Sequence, residues 1–238
     1  MRSEAMPGVT DDAFVPGAYW TPERARDAIA RMHKVLREPA TAAMFEADPR
    51  DDGGVPEEMI AAAAGEHAAS AASLDRASCR YRRARPDDVP RMAALIASAN
   101  LPPLFIDEFL GGFVIADCAG EIAGVGGLEI YGESGVIRSI VVDERARGWG
   151  LGRAMSELLI EDGRAAGART LYLMTEAALR FWKHLGFEEI ALDAWPPEPR
   201  ACWQWQFVSR HRAAMPEVHT MRMPIPPRRS LAGPRPLD

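Results

Sequence analysis

The stretch from Val136 to Arg153 constrains the fold more than any other part of the chain. An apolar run is followed by glycines at positions 148, 150 and 152, and then by residues with helical periodicity. Glycines let a bulky anion approach the backbone, and the free N–H groups of a helix's first turn point towards it. Arg147 adds positive charge beside the turn. The stretch therefore predicts a pyrophosphate cradle between a strand and a helix.

Two well-known phosphate motifs do not fit this turn. A dinucleotide fingerprint G-x-G-x-x-G needs glycine at 153 or 155, where Arg153 and Met155 stand, and a P-loop needs the absent G-K-[ST]. The remaining pattern is R-x-x-G-x-G, filled by Arg147, Gly150 and Gly152. This pattern resembles the acetyl-CoA-binding signature of the GCN5-related N-acetyltransferase (GNAT) superfamily.

Other parts of that superfamily's pattern follow in the same order. A strand is predicted over Leu171–Thr175, and the segment Ala178–Phe187 is similar to A-x-x-hydrophobic-Y-x-x-x-G-F. The resemblance covers Tyr81 to Ile225. Short pieces, among them Gly127-Leu-Glu129 and Ile137-Arg138-Ser139, look like N-acetyltransferases of arsenic-resistance operons and amino-acid acetyltransferases.

The resemblance and the hydrophobic pattern together predict an α/β fold. We expect a mixed, mostly antiparallel GNAT-like sheet with helices on both faces, in the order β-α-α-β-β-β-α-β-α-β-β, plus an N-terminal helical extension. The predicted domains are an acidic, Ala-rich extension over 1–78, the acetyltransferase domain over 79–225 and a disordered Pro-rich tail over 226–238.

The extension has a distinct composition. Thr21-Pro22-Glu23 is a good helix start, and the apolar spacing predicts a helix to Arg37. A turn over 48–54 and a second helix from Val55 to about Leu74 are predicted after it. The first 78 residues carry 14 acidic and eight basic side chains, so the whole net charge of −6 lies there. We expect this part to pack, to dimerise or to gate a cationic acceptor.

The resemblance implies where acetyl-CoA binds. It should lie between two parallel strands that splay apart, Val136–Val142 and Leu171–Thr175, with the pyrophosphate over the glycine turn. Amides near Val141 would polarise the thioester carbonyl. The residues expected to contact the cofactor are Ile140, Val141, Val142, Arg147, Gly148, Trp149, Gly150, Leu151, Gly152, Arg153 and Thr175.

A primary amine must lose a proton before it attacks, so a general base is useful. Glu129 is the first candidate, because its strand should pair with Val136–Val142, and Glu133 in the following turn is the second. The alternative for Glu129 is a solvated face of the strand. Arg138 stands in an apolar strand, where an unpaired charge is costly. It is predicted to bind a substrate carboxylate, or else to pair with Glu129 as part of the structure.

Two positions depart from the family's pattern. Trp182 stands where the family's general-acid tyrosine is expected, and an indole cannot protonate a leaving thiolate. Water, Tyr131 or His184 would then supply the proton. Thr175 stands where an asparagine usually contacts the cofactor.

The late tryptophans, 182, 195, 203 and 205, are predicted to form a packed C-terminal core or a dimer interface, with an aromatic lid as the alternative.

Composition excludes several other classes of protein. The three cysteines, at 79, 118 and 202, are widely spaced without C-x-x-C, so we expect free thiols and no zinc site or disulfide framework. No metal is expected. The net charge of −6 and the absence of a basic stripe argue against nucleic-acid and acidic-membrane partners. No secretory signal or membrane span is predicted, and a cytoplasmic protein, with a homodimer left open, is the default.

The predicted function is the acetylation of a small molecule's primary amine by acetyl-CoA, with an amino acid or a toxic amino-acid analogue as the example. Two alternatives stay open. One is a catalytically silent acyl-CoA-binding regulator whose N-terminal helices bind a partner. The other is an enzyme that acetylates a protein N-terminus or lysine.

Overall fold

The computed structural model describes residues 14–17, 19–37 and 74–226. Seven strands form one sheet in the order β1-β2-β3-β4-β5-β7-β6. The strands are β1 (Cys79–Arg83), β2 (Phe113–Cys118), β3 (Glu121–Tyr131), β4 (Ser134–Val142), β5 (Thr170–Thr175), β6 (Glu188–Ile190) and β7 (His219–Pro224). The helices are α1 (Pro22–Val35), α2 (Val89–Ser98), α3 (Leu151–Ala165), α4 (Leu179–His184) and α5 (Trp203–Arg210).

Strands β4 and β5 pair in parallel, and the other pairs in the described chain are antiparallel. Successive residues of β3 face opposite sides of the sheet. An added Cβ at Gly126 would approach Leu159 of α3, whereas Tyr131 packs its ring against Phe109, which contacts Trp20 beside α1. Helices therefore cover both faces, and the predicted mixed, mostly antiparallel sheet is confirmed.

Helix α1 begins where the sequence predicts. The Thr21 hydroxyl accepts a hydrogen bond from Arg24 N at 3.2 Å, and a proline occupies the first turn. The helix buries Ala25, Ala28 and Met32 in the same core as the sheet. The predicted helix over 55–74 falls, up to residue 73, outside the described residues, as do the turn over 48–54 and the tail from residue 227.

A buried ion pair fixes the chain before α1. Asp162 of α3 is fully buried, and its carboxylate accepts two hydrogen bonds from the Arg83 guanidinium, at 2.7 and 2.9 Å. The same carboxylate accepts a bond from Gly17 N at 2.7 Å, and Arg83 also donates to Val15 O. Phe14 N donates to Tyr81 O of β1. The described part of the extension is thus bonded to both β1 and α3.

Three helical predictions differ from the structure. The second helix of the predicted order is not formed, because the described segment between α2 and β2 contains only a 3-10 turn at Leu110–Gly112. The sequence from Arg147 to Ala166 predicts one helix, whereas α3 begins at Leu151. The backbone takes φ values of +82° at Gly148 and +87° at Gly150, which helical residues do not adopt. The sequence over 203–207 has no clear helix or strand pattern, and it forms the first part of α5. The cysteine Sγ at its start accepts a bond from Trp205 N.

The expectation of free thiols is wrong for two of the three cysteines. Cys79 and Cys118 form a disulfide although 39 residues separate them. The antiparallel register of β1 and β2 places them directly opposite each other. Count and spacing in the sequence carry no information on this register. Cys202 is free and buried, as predicted.

Candidate active site

The parallel pair β4–β5 opens towards the carboxyl ends of its strands. Its register joins Ser134 to Thr170 and ends where Val136 lies beside Tyr172. Beyond that point β4 continues to Val142 while β5 pairs with β7 along its whole length. The β5-facing backbone edge of Ile140, Val141 and Val142 therefore has no strand partner within the described sheet. It is the edge with which an extended ligand would pair.

A β-bulge lies in β4 at the start of this opening. Val125 of β3 pairs with Val141 and Gly127 pairs with Arg138, so Gly126 alone faces two residues, Ser139 and Ile140. Ser139 has a φ of +53°, which is unfavourable for a residue with a side chain. Because the bulge adds one residue, it reverses the face of each later side chain. Arg138 lies on the face of the sheet that carries Glu129 and Trp203, and Ile140 lies on the face covered by α3.

The glycine turn follows β4 directly. An added Cβ at Gly148 or Gly150 would meet no atom of the described chain within 4 Å. These glycines are therefore not required by internal packing, and the space above them is open. The first helical hydrogen bond runs from Ala154 N to Gly150 O at 3.0 Å. The amides of Leu151, Gly152 and Arg153 precede it and point out of the helix, as an anion site requires.

Two arginines flank this turn. Arg147 lies 3.5 Å from Glu144 and Arg153 lies 2.9 Å from Glu157, and both guanidinium groups are largely exposed. Exposed ion pairs of this kind contribute little to stability, so either side chain is free to turn towards an anion. Trp149, between the two glycines with positive φ, is half-buried against the core.

Glu129 lies in a closed network. Its side chain is fully buried, with one carboxylate oxygen 2.8 Å from Arg138 Nη1 and the other accepting the Tyr131 hydroxyl at 2.6 Å. Burial, followed by the negative charge of Glu129, raises the pKa of Tyr131 well above its usual value. Of the alternatives for Arg138, this geometry matches pairing with Glu129. Both oxygens of the proposed base are already engaged.

Glu133 lies at the other end of β4. It precedes Ser134, at the end where β4 and β5 are paired, and its exposed carboxylate bonds Arg169 at 2.8 Å. At about 3.3 Å per residue, roughly 20 Å of strand separates it from the bulge at Ile140. The structure does not bring Glu133 together with the glycine turn.

The two departures from the family's pattern have structural explanations. Trp182 is buried, with its ring edge-on to Phe181 and Phe187, so it is a core residue of the α4 region. The Thr175 hydroxyl accepts a hydrogen bond from Ala178 N at 3.1 Å and so shapes the turn between β5 and α4. His184 lies exposed at the end of α4.

A segment over 101–112, between α2 and β2, covers the opposite face of the bulge. The Leu104 carbonyl accepts a hydrogen bond from Arg138 Nη2 at 2.5 Å. The Phe105 ring packs 6.2 Å from that of Trp203, which also lies over the Arg138 guanidinium. Cys202, which directly precedes Trp203, is fully buried, and this burial raises the pKa of its thiol.

The sequence does not identify Ser139 or Leu104 as neighbours of the opening, and it offers Trp203 there only through the alternative of an aromatic lid. A signal for the bulge was present, because the alternation of β4 breaks where Arg138 and Ser139 precede three apolar residues in succession. No local signal points to Leu104 or Trp203, since both reach the bulge through tertiary contacts.

The described residues contain neither a candidate metal-binding cluster nor a candidate membrane-spanning helix. No cluster of three or more His, Cys, Asp or Glu side chains there has an arrangement that would hold a metal ion. Within residues 14–17, 19–37 and 74–226, no helix combines the length and the apolar character needed to cross a membrane.

Known proteins share this architecture. Residues 75–187 match the acetyltransferase (GNAT) family. An amino-acid acetyltransferase of Mycobacterium tuberculosis is 31% identical over 126 residues, which cover 47% of this chain and 71% of that protein.

Two solved structures share the fold. Rv2747 of Mycobacterium tuberculosis, in complex with CoA, aligns with a TM-score of 0.53 and 22% identity, over 61% of this chain and 99% of its own. N-acetylglutamate synthase of Neisseria gonorrhoeae, with CoA and N-acetyl-glutamate, aligns with a TM-score of 0.53 and 20% identity over 62% of this chain, which spans only 35% of that enzyme. The sheet, its parallel pair and the sequence match lead to one conclusion: the chain belongs to the GNAT family of acetyltransferases.

Proposed function

We propose that the chain transfers the acetyl group of acetyl-CoA to the primary amine of a small molecule by direct attack. The observation that carries the proposal is the opening between β4 and β5, which ends at a glycine turn with open space above Gly148 and Gly150. Acetyl-CoA supplies an activated thioester. The amino-acid acetyltransferase among the relatives supports an amino acid or an amino-acid analogue as the acceptor.

Different residues of the chain bind different parts of acetyl-CoA. The backbone of Ile140–Val142 offers a strand edge and amide donors for a carbonyl oxygen. The amides of Gly148 and of Leu151–Arg153 face the pyrophosphate, with the dipole of α3 in support. Arg147 and Arg153 add charge, Trp149 lies between the glycines, and Thr175 borders the opening at the end of β5.

The two predicted carboxylates differ in their positions relative to the bulge. Glu129 is the nearer of the two predicted carboxylates to the bulge. Its complete burial is at odds with the solvated face that was its alternative, and its ion pair supports the structural alternative that was predicted for Arg138. Glu133 has no support from its position. We propose that catalysis rests chiefly on orientation and on backbone donors at the bulge, with the amine proton passing to water.

A thiol-release assay with acetyl-CoA tests the function. The panel contains amino acids, amino-acid analogues, polyamines and peptides. Acetylation of a small amine supports the proposal, and turnover with peptides alone would instead favour a protein or peptide N-acetyltransferase. Tight CoA binding without any turnover would favour the silent regulator, a reading that the burial of Trp182 at the usual tyrosine position supports.

Location and assembly stay predictions. A cytoplasmic protein is expected to hold reduced cysteines, whereas the Cys79–Cys118 disulfide is typical of oxidising compartments. Alkylation of thiols in intact cells before lysis distinguishes reduced cysteines, which are modified, from the disulfide, which is not. The buried positions of Trp182, Trp195 and Trp203 fit the predicted C-terminal core, and size-exclusion chromatography with light scattering tests the homodimer.

A further inference from the structure

The segment over 101–112 is held from the side of the candidate active site. Arg138, which precedes the bulge by one residue, donates to the Leu104 carbonyl at 2.5 Å. The ring of the next residue, Phe105, packs against Trp203. The backbone φ of Phe105 is +58°, which a non-glycine residue rarely adopts. The segment therefore borders the point where an amine would approach the thioester, and its conformation is imposed by its neighbours.

The same segment is held from outside by the extension. Arg31 of α1 donates from Nη2 to the Glu108 carbonyl at 2.9 Å. The Trp20 ring packs 6.3 Å from that of Phe109. Further along, a side chain at Gly111 would collide with the Tyr19 ring, and one at Gly112 would collide with Trp20 and with the Leu128 carbonyl. The segment thus lies in direct contact with residues 19–31.

The extension is also anchored at α3 and β1. The carboxylate of Asp162, buried in α3, bonds Gly17 N and the Arg83 guanidinium, and Arg83 continues to Val15 O and Gly111 O. Its guanidinium also lies 4.1 Å from the centre of the Phe14 ring. An element fixed at α3 and β1 can resist displacement of the segment that it contacts.

We propose that the described extension, residues 14–17 and 19–37, forms the outer wall of the acceptor site, with Arg31 as a positioning residue. Resting on the proposed function, this inference gives a role to a part of the chain that lies before the matched residues 75–187. Arg31 acts through the Glu108 carbonyl on the placement of Leu104 and Phe105. It therefore affects binding of the amine and leaves binding of acetyl-CoA unchanged.

Two arginines of α1 provide a matched pair of variants in the full chain. Arg31→Ala removes the bond to Glu108 O, whereas Arg26→Ala removes only an exposed 3.3 Å bond to Glu23 within the same helix. The loss of one net hydrogen bond corresponds to about a two- to tenfold change in affinity. We expect Arg31→Ala to raise the KM of the amine by that factor, with the KM of acetyl-CoA unchanged. Arg31→Lys, which can still donate, should restore part of the loss.

The amine used is the one that the wild-type chain acetylates fastest in the thiol-release panel. Equal amine KM values for Arg31→Ala and Arg26→Ala, in a chain that does acetylate amines, overturn the inference alone. A wild-type chain that acetylates no amine overturns the proposed function, and the inference with it.

Hydrogen–deuterium exchange gives a readout that needs no acceptor. Faster exchange over residues 101–112 in Arg31→Ala than in Arg26→Ala supports the proposed outer wall, because the lost bond joins Arg31 to that segment. Equal exchange in the two variants contradicts it.

Discussion

Gly150 offers the sharpest test of the anion site. At φ +87° it lies in the left-handed region, which asparagine tolerates better than other residues with side chains. An added Cβ there meets no atom of the described chain within 4 Å. Gly150→Asn should therefore keep the fold while placing a side chain in the open space above the turn.

Gly167, just beyond the other end of α3, supplies the control. Its φ is +88°, and an added Cβ there likewise meets nothing in the described chain within 4 Å. Asparagine should cost at most about 1 kcal/mol of stability at either position. The two variants thus carry the same backbone penalty, and only one of them stands beside the proposed pyrophosphate.

The expected loss of affinity follows from the amides at the start of α3. A hydrogen bond to a charged group contributes about 1.5–3 kcal/mol, so displacing the anion from one amide weakens CoA binding about 10- to 100-fold. At a concentration 100 times the wild-type Kd, CoA stabilises the wild-type fold by about 2.7 kcal/mol. After a thirtyfold loss of affinity it stabilises the variant by only about 0.9 kcal/mol.

Calorimetric titration with CoA, with thermal unfolding in its presence and absence, measures both quantities. We expect Gly167→Asn to bind CoA as the wild type does, and Gly150→Asn to bind it at least tenfold more weakly at similar intrinsic stability. Equal affinities in the two variants would refute the assignment of the turn to the pyrophosphate.

Three other changes test the structure. Glu129→Gln leaves the buried Arg138 charge unpaired and should lower the free energy of unfolding by about 3–5 kcal/mol in urea titrations; loss of turnover at unchanged stability would instead mark a catalytic base. Reduction of the Cys79–Cys118 disulfide, which spans 39 residues, should cost about 4 kcal/mol, and an unfolding midpoint unaffected by dithiothreitol would contradict the pairing. Burial raises the pKa of Asp88, but hydrogen bonds from the Arg82 guanidinium and from Arg85 N outweigh this and lower it. Its contribution to stability is therefore present above about pH 4 and lost as the pH falls through the folded pKa, so Asp88→Asn should flatten the acid loss of stability.

The parts of the fold that local pattern determines were predictable. The strands and the glycine turn followed from apolar runs and from glycines at 148, 150 and 152, because neighbouring residues determine these local conformations. The start of α1 at Thr21-Pro22 followed from capping preferences in the same way. The opening between β4 and β5 was expected from the resemblance to the family. In the structure the two strands stop pairing after Val136.

The features that depend on register and on distant contacts were not predictable. The disulfide requires β1 to pair with β2 in one alignment, and no spacing rule reveals that alignment. The bulge at Ser139 leaves a local signal, the three apolar residues that follow it, but this signal does not give the register. Simple alternation continued through Ser139 assigns Arg138 and Ile140 to the same side. The contact of α1 with the segment over 101–112 joins parts of the chain that share no motif.

The bond between Cys79 and Cys118 has a consequence for how the chain can be cut. With the two sulfurs joined, the intervening residues form a covalent ring that includes α2 and the segment over 101–112. A single proteolytic cut in that segment opens the ring and releases no fragment. Such a nicked protein would migrate as one species in non-reducing electrophoresis and as two pieces after reduction. The loop beside the candidate active site can therefore be severed while both strands of the sheet edge stay joined.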